Sequence, residues 1–147
     1  MNIATVIQML YPYSPGKEYK NFRHVRNVLF RVTPYLQNLK SEEEALSLLL
    51  SLGYSTTTYT RVRSFFKAIT QPEPGPKIEK VMEAILDELR RKKVVREVEL
   101  MKNRRIATYY FHEAIVRLAM LGLLRRELAE VKGKREIVLV YLGDQDG

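Results

Sequence analysis

The chain has 147 residues with 46% hydrophobic content, the composition of a globular protein with a buried core, and it is long enough for one domain or two small ones. Its 25 Lys and Arg against 17 Asp and Glu leave a formal charge of +8, which favours polyanionic partners, with nucleic acid ahead of an anionic membrane. The absence of cysteine excludes disulfides, thiolate metal sites and cysteine nucleophiles, and no run approaches the roughly 18 apolar residues of a membrane span, so a cytoplasmic protein with no membrane association is expected.

The opening Met1 to Ile7 has no basic lead, and its apolar run stops at Tyr11-Pro12, unlike a secretion signal. A short helix is expected there, followed by a turn-rich stretch from Tyr11 to Gly16. Phe22, Val25, Leu29 and Val32 then fall on one helical face, and Thr33-Pro34 opens a short second segment. Ser41 followed by Glu42, Glu43 and Glu44 is a capping box, which predicts a helix over about 42 to 52 ended by Gly53. The run Ser55 to Thr58 offers N-caps for another helix. In it Val62, Phe65, Phe66 and Ile69 cluster on one side, and Thr57, Thr60, Arg63, Ser64 and Lys67 on the other. Helix, glycine turn, helix over 41 to 70 resembles a DNA-binding helix-turn-helix, with Thr57, Thr60, Arg63 and Lys67 as candidate contacts. A solvated face on an ordinary bundle gives the same spacing.

Three prolines between Pro72 and Pro76 mark a boundary, so residues 1–70 are read as a helical domain, 71–77 as a linker and 78–147 as a second domain. Both sides are basic, with 9 cations against 4 anions up to residue 70 and 16 against 13 beyond it. A single domain with an internal proline loop is the alternative. Ile78, Val81, Met82, Ile85, Leu86 and Leu89 predict a core-facing helix with Arg90 to Lys93 at its C-terminal end, where cations suit the helix dipole. Val94-Val95 reads as a short strand or a connection, and 96 to 105 as a short helix. From Thr108, expected to be the cap, Phe111, Ala114, Ile115, Leu118 and Leu121 form a buried stripe. Tyr109, Glu113, Val116 and Met120 lie opposite, flanked by His112 and Arg117, until Gly122 breaks the helix. Two β-rich runs, from Leu123 and from Ile137 to Leu142, meet at Lys132-Gly133-Lys134 as a hairpin. The second run is apolar on both faces and needs a cover from the first half or from a second chain, so a homodimer is expected.

The run Ala114 to Arg126, with its Leu121-Gly122-Leu123 step into that hairpin, resembles the winged helix-turn-helix family of archaeal and bacterial regulators, over about residues 77–142. The fold class expected is therefore mainly α with a small β-hairpin: a helix-turn-helix-like N-terminal half and a C-terminal winged helix. The resemblance implies that the helix over about 108–121 enters the major groove, with Tyr109, His112 and Arg117 as contacts. It also implies that Lys132, Lys134 and Arg135 at the wing (about 131–136) meet the backbone or minor groove, and that Arg104 and Arg105 meet phosphate. Arg104-Arg105-Ile106-Ala107 departs from the small turn residues usual between the family's second and third helices.

No catalytic constellation is present. His24 and His112 stand in different halves, Ser14-Pro15-Gly16-Lys17 lacks the pattern of a phosphate loop, and Glu42 to Glu44 are explained by capping. No enzyme, cofactor or metal is expected. The expectation is a sequence-specific duplex DNA-binding transcriptional regulator. The rivals are a replication-initiation or partition protein with two tandem modules, and an adaptor whose winged helix docks a protein of the transcription or replication machinery.

Overall fold

The computed structural model describes residues 2–13 and 20–143; the expected turn at Ser14 to Gly16, and Lys17 beside it, lie outside them. Mainly helical, the chain carries a small antiparallel sheet near its C-terminus. Its helices are α1 (Ile3–Leu10), α2 (Lys20–Val32), α3 (Glu42–Ser51), α4 (Thr56–Thr70), α5 (Pro76–Lys92), α6 (Glu97–Arg104) and α7 (Thr108–Met120), and a 3-10 helix spans Thr33–Asn38. The strands are β1 (Val94–Arg96), β2 (Leu124–Val131) and β3 (Lys134–Tyr141), in sheet order β1-β3-β2. Val94-Val95 thus belongs to a third strand, with Val95 opposite Leu139.

Local chemistry sets most boundaries. The Ser41 hydroxyl accepts from the Glu44 amide at 3.2 Å, while the Glu44 carboxylate reaches back to the Lys40 amide at 2.8 Å, closing the start of α3. Gly53, at φ +91°, supplies the left-handed residue after α3, and Ser55 caps α4 by accepting from the Thr58 amide. The β2–β3 connection is the two-residue turn Lys132-Gly133, whose φ values of 51° and 78° are the positive pair that a type I′ hairpin turn requires. Pro76 is the first residue of α5, so the α4–α5 connection is 71–75.

A single buried cluster runs through both sides of that connection, from Val6, Leu29 and Phe65 to Ile85, Phe111 and Leu139. At its centre lies α7, packed on α5 by one side and on α1 and α4 by the other, with β2 alongside. Phe111, Ile115 and Leu118 are almost wholly buried, each contributing about 1.5–3 kcal/mol of apolar burial. Val138 and Leu139, which point to opposite faces of β3, are both buried within this one chain. The two-sided apolar strand therefore finds its cover without a second copy at those residues.

A buried ion pair locks the first helix to the sheet. On β2, Arg126 donates to Glu97 of α6 at 2.5 and 3.1 Å and to the Leu10 carbonyl at the end of α1 at 3.3 Å. Its guanidinium also lies 5.5 Å from the ring centres of Tyr11 and Phe22. Removing one partner strands the other charge in the core. Glu97→Ala is expected to cost about 3–5 kcal/mol in urea unfolding, whereas the double variant Glu97→Leu/Arg126→Met is expected to recover most of that loss. A double variant no more stable than Glu97→Ala would show that packing, not the stranded charge, sets the cost.

Candidate nucleic-acid interface

The side of α7 expected to face outward carries Tyr109, Glu113, Val116 and Met120, flanked by His112 and Arg117. Glu113, Val116 and Arg117 are 1%, 1% and 6% exposed, so the side expected to face outward is interior, covered by α1 and α4. Arg117 is spent on this interior, since it donates to Glu113 at 3.0 Å and to the Pro72 carbonyl at 3.2 Å. Glu113 has its second oxygen 3.6 Å from the Lys67 ammonium, and Lys67 donates to the Tyr109 hydroxyl at 3.0 Å. Expected as a groove contact, Lys67 instead joins α4 to α7. Arg63 behaves likewise, bonded to Glu42 at 3.1 Å with its guanidinium 5.0 Å from the Tyr109 ring centre. Leu121, expected in the buried stripe, is 58% exposed because α7 ends at Met120 and the chain turns away. Thr108, expected as the cap, is the first helical residue. Ala107 stands at the N-cap with no side-chain bond, so the first amides of α7 have no side-chain partner.

His112 is half-buried in the wall of a cavity of about 480 Å³ between α2, α4, α7 and the hairpin. Burial, aided by Arg126 nearby, lowers its pKa to about 4, so near neutral pH it is an uncharged imidazole rather than a phosphate-binding cation. Arg104 is also committed, bridging Asp87 and Glu88 of α5. Burial of Glu88 would raise its pKa, but Arg104, Lys92 and Arg91 outweigh that and hold it below the ordinary carboxylate value.

The outward surface has a different membership. Thr57 and Thr60 are exposed on α4, and with Arg61 and Ser64 they form one stripe at the i, i+3, i+4, i+7 spacing. Arg61 is exposed without an ion-pair partner among the described residues. A helical wheel places it beside Thr57 and Ser64, whereas Arg63 and Lys67 sit farther round toward α7; that angular difference was the signal in the sequence for Arg61. On the far side of the α7 N-terminus lies a concavity of about 400 Å³ with exposed Lys77, Lys80 and Arg105 around Tyr110. Lys77 lies 4.4 Å over the Tyr110 ring, and Arg105 takes the left-handed φ of 54° that closes α6. At the hairpin tip Lys132, Lys134 and Arg135 are exposed. Ile137 of the hairpin shares the His112 cavity with Thr60, Arg61 and Ser64 of α4, so the stripe, the α7 N-terminus and the hairpin adjoin one another.

Among the described residues no cluster of three or more His, Asp or Glu could hold a metal ion, and no helix is long and apolar enough to cross a membrane. Comparison with protein-family models, curated proteins and solved structures finds no match.

Two measurements follow from this geometry. Unfolded chains bind a proton at His112 near its ordinary pKa of 6.5, while the folded chain resists protonation down to about 4. Stability is therefore complete above pH 6.5 and falls as pH drops toward 4, by up to about 1.4 kcal/mol per unit. His112→Gln is expected to flatten urea midpoints across that window, ahead of any loss from Glu88 at lower pH; an unchanged slope would place the titration elsewhere. Arg105→Gly is expected to keep or raise the melting temperature, because glycine takes positive φ without strain, while weakening duplex binding if the cation meets phosphate.

Proposed function

We propose that the protein binds duplex DNA without catalysing a reaction, reading bases with α4 and holding the backbone with the surrounding cations. The observation that carries this reading is the stripe of exposed Thr57, Thr60 and Arg61 with half-buried Ser64 on the second helix of a helix–glycine turn–helix. Short hydroxyl side chains let a helix lie close to base edges, and an arginine among them can pair with guanine in the major groove. Support comes from the company this stripe keeps: Lys77, Lys80 and Arg105 beyond the α7 N-terminus, and the hairpin tip with Lys132 and Lys134. Such cations position a protein through phosphate contact and counterion release.

The order α5, α6, α7, β2, β3 is the helix, helix, helix, hairpin order that the winged-helix resemblance implies for the second half, with the short β1 added beside β3. That half differs in use from the family pattern, because its third helix is enclosed by α1 and α4 and offers only its N-terminal turn. Groove reading accordingly passes to α4, and the hairpin serves as a phosphate clamp. A transcriptional regulator is the role this binding best supports.

Binding of random and selected duplexes across a salt series tests the reading. Affinity for random duplex is expected to fall steeply between low and physiological salt, and Lys134→Ala to reduce the slope of log K against log salt by about 0.9. Arg61→Ala is expected to weaken a selected site by about 1–3 kcal/mol more than random duplex, while Arg117→Ala destabilises the fold without that discrimination. Salt-independent binding, or none, would remove the DNA reading and favour the protein-docking adaptor. The footprint separates the remaining roles, since one chain covers a continuous asymmetric site and a pair covers a palindrome.

A further inference from the structure

The cavity beside His112 has features that duplex binding does not require. Its walls are mixed, with Phe22 and Val25 from α2, Tyr109 from α7 and Ile137 from β3 forming an aromatic and apolar part beside the polar Asn21, Thr60, Ser64 and Thr108. Its charges are unequal. Arg126 and Glu97 reach it as a mutually neutralising buried pair, and Arg61 is, among the described residues, the lining cation without an ion-pair partner. His112 presents an uncharged imidazole, able to donate from one nitrogen and accept at the other. At about 480 Å³ the space matches the range in which small-molecule sites are found, an apolar hollow with a few convergent polar groups.

We propose that this cavity binds a small aromatic acid, its ring seated among Phe22, Val25, Tyr109 and Ile137 and its carboxylate paired with Arg61. Thr60, Arg61 and Ser64 line the cavity and also belong to the α4 stripe, so a molecule held there occupies side chains that the duplex needs. The ligand is thus a competitor of DNA and an effector of the protein. The competition rests on the duplex reading, whereas the binding itself does not.

Titration of the ¹⁵N-labelled full chain with 1-naphthoate, and with neutral 1-naphthamide as its control, tests the proposal. The acid is expected to bind saturably, with a Kd on the order of 1 mM or tighter for a molecule of this size. Amide resonances of Ser64, Tyr109 and Ile137 are expected to move. The amide control is expected to bind at least about five-fold more weakly, a preference that Arg61→Ala erases. Asn21→Trp, at an exposed position that lines the cavity, is expected to abolish naphthoate binding by occupying the space, and an unchanged naphthoate affinity in that variant would overturn the assignment. Naphthoate is also expected to raise the apparent Kd for duplex in proportion to its occupancy. No saturable shift with either probe, equal affinity for the two, or shifts confined to another surface would overturn the assignment. Naphthoate binding in a protein that never binds duplex would keep the cavity and remove the DNA reading; duplex binding without naphthoate binding would do the reverse.

Discussion

Enclosure of α7 on every side is the constraint from which the rest of the structure follows. Its apolar side packs on α5, as an amphipathic helix should, but its other side meets α1 and α4 rather than water. A charged side cannot be buried without partners, and here each charge has one. Glu113 takes Arg117 on its own helix and Lys67 from α4, and Arg117 also reaches the backbone at Pro72. The Arg126–Glu97 pair does the same where α1 meets the sheet. Because an unpaired charge in such a place costs several kcal/mol, these bonds restrict how the N-terminal helices can sit on the C-terminal unit.

Much of the local structure was legible in the sequence because it depends on near neighbours. Ser41 with Glu44, Gly53, Ser55 and the Lys132-Gly133 turn each act within a few residues, and the elements begin and end where these residues dictate. The apolar spacing of Phe111, Ala114, Ile115 and Leu118 likewise identified the inner side of α7. The fate of its other side could not be read the same way. Periodicity separates apolar from polar positions, but a polar side can face water or can face matching charges from a distant helix, and Glu113 beside Arg117 looks alike in both cases. Arg126 posed the same problem: between Arg125 and Glu127 it resembles a solvated strand charge, and only the arrival of Glu97 and Leu10 from other elements makes it interior.

Enclosing one helix redistributes the tasks of the others. With α7 enclosed, the proposed duplex binding assigns base reading to the stripe of α4, and the α7 N-terminus stands between two concavities of different character. On one side the concavity is edged by Lys77, Lys80 and Arg105 and suits phosphate. On the other, the cavity sets an aromatic and apolar part beside Arg61, the lining cation without an ion-pair partner among the described residues, and is the proposed site of a small acid. In the proposed reading, contact with the duplex and control of that contact fall on adjoining surfaces that share Arg61.

Hydrogen exchange at the α7 amides, followed with and without duplex, addresses the central claim most directly. If α7 is the enclosed centre of the fold, the amides from Ile115 to Ala119 exchange only through global unfolding and stay equally protected when duplex is bound. Exchange of those amides well above the global rate in the free protein, or loss of their protection on adding duplex, would mean that α1 and α4 lift away and that α7 is the helix presented to DNA.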